Sequence, residues 1–125
     1  MLLTLLIIAT LGAVASVARF WVSTVVQQQA GASFPWGTFA VNAAGCLFFG
    51  FVWSIFEKRT SWDPHIRMMI LAGFAGAFTT FSTFAFDTVR LLEQSSYGLA
   101  FLNVLGQSAL GIGLVILGIA MGKWV

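Results

Sequence analysis

The chain of 125 residues has little charge: six Lys and Arg and four Asp and Glu, together 8% of it. Soluble domains carry roughly a quarter charged residues, and a surface so poor in them cannot keep a compact globule dispersed in water. With 59% hydrophobic residues as well, the composition excludes an ordinary soluble domain and requires lipid as the solvent. A single cysteine, Cys46, excludes an internal disulfide, and its place in an apolar run reads as small-residue packing. A single histidine, His65 beside Pro64, leaves no metal cluster and no Ser/His/Asp set, and no carboxylate pair falls inside an apolar run. These absences argue against an enzyme. A net charge of +2 with no basic cluster beyond Lys58-Arg59 argues against a nucleic-acid partner.

Apolar stretches occupy residues 2–26, interrupted only by Arg19, then 36–56, 68–86 within a helix predicted over about 66–92, and 99–121. At 1.5 Å rise per residue about 20 residues cross a hydrocarbon core of roughly 30 Å, so the chain is one all-α domain of four transmembrane helices. The start lacks a basic n-region and carries Arg19 where a signal's apolar core would be ending, so it is read as a mature span. Polar residues fall between the runs, at Gln27-Gln28-Gln29 to Pro35, Glu57 to Pro64 and Glu93 to Gly98. Lys58, Arg59, Arg67 and Lys123 share the side of both termini, against Arg90 and at most Arg19, a bias that favours a cytoplasmic N-terminus.

Small residues recur four apart, as in Gly12/Ser16, Ala40/Ala44, Gly73/Ala77, Ala109/Gly113 and Gly118/Gly122, so the helices can pack closely. Four helices fill their own interior with side chains. A transport path therefore requires an oligomer, at least a homodimer, with the path at the subunit interface.

Polar groups in the spans each need a reason, because a central Arg costs roughly 2.5–3.5 kcal/mol on insertion scales. Arg19 either snorkels or pairs structurally, or places a fixed positive charge at an aqueous mouth. Asn42 either bonds a neighbouring helix or offers its amide to a conduction path, and Thr38, one turn earlier, shares that ambiguity. Asp87 reads as a partner of Arg90 at i+3. Asn103, Gln107 and Ser108 either extend a polar lining or bind neighbouring helices.

The least ordinary segment is Phe78-Thr79-Thr80-Phe81-Ser82-Thr83-Phe84, preceded by Gly73 and Gly76. Hydroxyl side chains and glycines in series offer alternatives to helical hydrogen bonds, which predicts a break near Gly76 to Thr80. Freed carbonyls at membrane depth must be buried in protein or line a cavity, where they suit a hard cation. The rings at 78, 81 and 84 form a slowly rotating stripe that serves packing, or points electropositive edges at a small anion. A proton-coupled exporter of the small multidrug-resistance type has similar length but needs an intramembrane acid, commonly in its first helix, where this chain has only Arg19. A non-transporting membrane scaffold would use the same polar groups as packing bonds alone.

Three strings carry a resemblance: Gly12 to Phe20, Pro35-Trp36-Gly37-Thr38-Phe39-Ala40-Val41-Asn42-Ala43-Ala44-Gly45, and Gly73 through Phe84. In these the chain resembles the Fluc, or CrcB, fluoride channels over nearly its whole length. The resemblance implies an antiparallel, dual-topology homodimer in a bacterial-type inner membrane, exporting fluoride passively through two pores at the subunit interface; both orientations are then needed, and the family's topology is followed over the single one that the charge bias favours. It implies that Phe81 and Phe84 line the path with ring edges, that Asn42 is an amide donor, and that Ser82, Thr83 and Thr38 belong to the polar lining. It places Arg19 in the aqueous vestibule and a structural sodium ion on the main-chain carbonyls of Gly76 and Thr79 from both subunits. The family often has Glu where Asp87 stands and a Tyr where Asn103 stands. The reading makes physical sense, because a narrow path must replace the tightly held water of fluoride with hydroxyl, amide and ring-edge donors that bind weakly enough for exit.

Overall fold

The computed structural model describes residues 1–59 and 62–125, which form helices and their connections, with no strand among them. Among the described residues, four stretches are long and apolar enough to cross a membrane. They are α1 (Leu2–Ala30), α2 (Trp36–Lys58), a composite third span (Pro64–Glu93) and a fourth over Tyr97–Trp124. The third span comprises α3 (Pro64–Ile70), a π-helical turn (Leu71–Ala75), α4 (Gly76–Phe78) and α5 (Phe81–Glu93), so the fourth is α6 (Tyr97–Trp124).

The ends differ from the sequence expectation for local reasons. Gln27-Gln28-Gln29 continue α1 instead of connecting it to α2, since Gln favours helix. The Gln27 side chain then holds the turn: its Nε2 donates to the carbonyls of Gly31 (2.6 Å) and Phe34 (2.9 Å), and its Oε1 accepts from the Gly37 N–H (3.0 Å). The third span starts at Pro64 because Asp63 caps it, its Oδ1 accepting from the His65 N–H at 2.8 Å, with Pro64 in the first-turn position that needs no N–H. The predicted 57–64 connection includes Thr60 and Ser61, which lie outside the described residues. The last connection is shorter than the predicted 93–98. Ser95 takes φ 57° and the N–H of Ser96 reaches back to Leu91 O (2.9 Å), a Schellman-type stop that lets α6 begin at Tyr97.

Lipid-facing and packed surfaces separate cleanly. Leu2, Leu3, Val17, Phe20 and Trp21 on α1 and Phe101, Ile112 and Ile116 on α6 are exposed, a pattern that only an apolar solvent permits. The tightest seam joins α2 to α6. A Cβ added at Gly50 would collide with the Val115 carbonyl, and one added at Gly118 with the Leu47 carbonyl, so backbone meets backbone there. The α1 seam with the third span is looser: a Cβ added at Gly12 would lie in ordinary contact, 3.6 Å from the Gly73 carbonyl, whereas one added at Gly73 would crowd Ile8 and Leu11. Gly113 faces open space, so the Ala109/Gly113 pair is not used within one protomer.

Gly118→Ala should therefore force α2 and α6 apart and destabilise the protein by about 1–3 kcal/mol, the usual cost of overpacking. Gly98→Ala, where nothing lies within 4 Å, should be neutral or slightly stabilising. Thermal unfolding of the two detergent-solubilised variants checks the contrast.

Candidate functional site

Between α4 and α5 the chain leaves the helix for two residues, with Thr79 at φ −84°, ψ 159° and Thr80 at φ −148°, ψ 113°. The predicted break lies here. In a continuous helix the Thr80 N–H would close on Gly76 O; instead it donates to Asn42 Oδ1 at 2.7 Å. The Thr83 N–H, which would close on Thr79 O, donates to Thr80 Oγ1 at 3.2 Å. The carbonyls of Gly76 and Thr79 thus lose their helical partners. Thr80 also caps α5, and its hydroxyl donates to Thr83 Oγ1 (2.9 Å) with Ser82 Oγ 3.3 Å away. Only glycine at position 45 lets α2 pass so close, because a Cβ there would strike the Thr79 side chain.

Asn42 answers the break from α2. Its Nδ2 donates to Thr80 O (3.1 Å) and to Gln107 Oε1 on α6 (2.8 Å). Gln107 Nε2 donates to Asn103 Oδ1 (2.9 Å), Asn103 Nδ2 to Thr88 Oγ1 (2.9 Å), and the Thr88 hydroxyl to Phe84 O (2.8 Å). The Asn103–Gln107 face expected from their spacing is formed, and Ser108 bonds back to Val104 O (2.7 Å).

The break also divides the phenyl stripe. Phe78 stacks on Phe74, with centroids 5.6 Å apart and planes at 10°, and Phe74 meets Phe48 at 5.1 Å. Phe81 and Phe84 form a separate pair at 5.5 Å. One rotating stripe over 78, 81 and 84 is therefore corrected to two ring clusters, because the extended residues between them reset the helical phase. Phe81 is 80% exposed in the protomer although it lies at mid-span. With Phe84, Asn42, Gly76, Thr79 and Gln107 it lines an open cavity of about 460 Å³.

A second cavity, of about 530 Å³, opens by the α1–α2 turn and contains Gln27, Thr38, Asp87 and Arg90. Thr38 Oγ1 donates to Asp87 Oδ2 at 2.6 Å, so the Asp87 carboxylate takes its bond from α2 instead of the predicted Arg90. That bond crosses between elements and holds α2 to α5, which a spacing rule within one helix cannot anticipate. Thr38 and Asn42, one turn apart, serve different cavities. Half-buried Arg19 lines neither cavity.

A family model described as "CrcB-like protein, Camphor Resistance (CrcB)" matches residues 6–119. The chain belongs to the CrcB family. Relatives called "Fluoride-specific ion channel FluC" share 46% identity in Maridesulfovibrio salexigens, over 96% of this chain and 95% of the relative. The one from Nitrosococcus oceani shares 45% over 93% of each, and that from Nitratidesulfovibrio vulgaris Miyazaki F shares 47% over 91% and 92%. Its four apolar spans make this CrcB chain a multi-pass bacterial membrane protein, and its family is not one of enzymes.

Thr80 was the residue of this CrcB site that sequence reasoning undervalued, one hydroxyl in a set of four. Its signal was the Thr-x-x-Thr spacing, in which a first hydroxyl caps the N–H three residues on. Thr80→Ala should cost about 1 kcal/mol, the worth of a lost N-cap, and Thr80→Ser should restore most of it. Paired thermal melts of the two variants decide whether the cap is the source.

Proposed function

We propose that this chain forms a fluoride-selective channel, two antiparallel copies enclosing two pores at their interface through which fluoride leaves the cytoplasm passively. What supports this reading most is the open cavity at the break, which Asn42, Phe81 and Phe84 line together. Its lining is uncharged. A small anion there meets ring edges and the Nδ2 of Asn42, whose hydrogens it must draw from Thr80 O and Gln107 Oε1, and these replace part of its hydration without the strong hold of a fixed cation. A mid-span ring 80% exposed in one protomer belongs against a second copy instead of lipid, since the hydroxyls beside it need polar company.

Ser82 and Thr83 carry the polar track onward along α5, and Thr38 with Asp87 lines its wide mouth. The name the relatives carry, fluoride-specific ion channel, agrees with this use of the groups. Arg19, outside both protomer cavities, belongs to a vestibule that the second copy completes and there raises the local anion concentration.

The carbonyls of Gly76 and Thr79 suit a structural sodium ion. Both lack helical partners because the N–H groups four residues on are taken by Asn42 and Thr80, and neutral oxygens are the ligands that hard cations take. Two from each copy would hold one ion at the centre of the dimer. The ion would supply positive charge that ties the two breaks together.

Fluoride-electrode recording of efflux from proteoliposomes tests the path. Phe81→Ile and Asn42→Asp should each abolish efflux while the protein still elutes as a folded dimer on gel filtration. Full efflux through both variants would remove these residues from the path. Uptake of lipophilic cations driven by a pH gradient would instead identify an exporter.

A further inference from the structure

The hydrogen bonds around Asn42 have a single sense of direction. The Thr80 backbone N–H can only donate, so the atom it meets at 2.7 Å must be the oxygen of Asn42. Nδ2 of Asn42 then points to Thr80 O and Gln107 Oε1. With its oxygen engaged, Gln107 presents Nε2 to Asn103 Oδ1, and Asn103 presents Nδ2 to Thr88 Oγ1. The Thr88 proton ends on Phe84 O. One backbone donor in the break thus orients three amides on two other helices, and the relay returns to the third span at a residue of the Phe81–Phe84 ring pair.

The pairing has a consequence for an anion. Every amide oxygen in the relay accepts one N–H, which engages one of its two lone pairs and lowers the repulsion an anion would meet there. Turning Gln107 over would set Nε2 against Asn42 Nδ2 and Oε1 against Asn103 Oδ1, breaking two bonds at once. Asn103, fully buried, blocks that reversal because its own Nδ2 is committed to Thr88. Gln107 shares the cavity of Asn42, Phe81 and Phe84.

We propose that Gln107, anchored by Asn103, is a positioning residue for fluoride conduction: it keeps Asn42 turned with its carbonyl on the Thr80 N–H and its Nδ2 on Thr80 O and Gln107 Oε1, so that an anion on the path competes for those two hydrogens and does not meet the carbonyl. The proposal rests on the fluoride path described above. Its own content is that the donor from Gln107 to Asn103 is required for flux and not only for folding.

Fluoride efflux from proteoliposomes containing wild type, Asn42→Ala, Gln107→Leu, Asn103→Leu, the Gln107/Asn103 double variant and Gln107→Glu tests it, with gel filtration confirming folded dimers. Gln107→Leu, which removes the bonds to both Asn42 and Asn103, should slow efflux roughly tenfold or more, and the double variant should lose no more than the worse single one, because the two act as a unit. Gln107→Glu keeps an acceptor toward Asn42 but sets a carboxylate against Asn103 Oδ1. Protonation restores a donor, so its efflux relative to wild type should recover as pH falls from about 7.5 to about 5.5. If Asn42→Ala stops efflux while Gln107→Leu runs at the wild-type rate, the relay is dispensable and the proposal is overturned. If Asn42→Ala itself conducts normally, the path reading fails instead. Should Gln107→Leu not fold, Gln107→Glu decides alone, and a slow rate that ignores pH counts against the relay.

Discussion

The hydrogen bond from the Thr80 N–H to Asn42 is the contact on which the rest of the site depends. A helix in lipid keeps its backbone bonds because no water competes for them. Here a side-chain amide from a neighbouring helix takes the donor that Gly76 would have held. Once that bond forms, Thr79 and Thr80 extend, the Thr80 hydroxyl caps a new helix, and the carbonyls of two residues that line a cavity are left without helical partners. Without the break, Phe81 and Phe84 would continue the phase of Phe78 and pack with it. The broken helix is therefore what separates a ring pair for packing from a ring pair at an open surface.

The cost of that break is met by close packing elsewhere. The α2–α6 seam has backbone against backbone at Gly50 and Gly118, which fixes the distance from Asn42 on α2 to Gln107 and Asn103 on α6. A looser seam would lengthen bonds of 2.7–3.1 Å beyond useful range. Gly45 performs the same service toward Thr79. Small residues in this chain are thus tied to the site and not only to the stability of a bundle.

Much of this was legible in the residues. The scarcity of charge and four apolar runs gave the spans, and hydroxyls beside glycines marked the break to within two residues, because both signals are local. The strings around Asn42 and Phe81 pointed to the family that the matched relatives establish. What could not be read was which helices meet. Asp87 looked toward Arg90, three residues along its own helix, but its partner Thr38 is 49 residues away. Asn103 and Gln107 were seen to share a face, yet spacing says nothing of a relay that starts at a backbone N–H on another helix. The Gln27 clamp was hidden for the same reason: three glutamines look like a polar connection until one of them is seen holding the turn.

An uncharged site at the break that conducts fluoride by the proposed path should refuse larger anions. Purified wild-type protein reconstituted in liposomes loaded with both fluoride and chloride, followed with electrodes for each ion under a potassium ionophore, addresses it most directly. Rapid loss of fluoride with chloride retained is the expected result. Fluoride retained, or both ions leaving together, would contradict it.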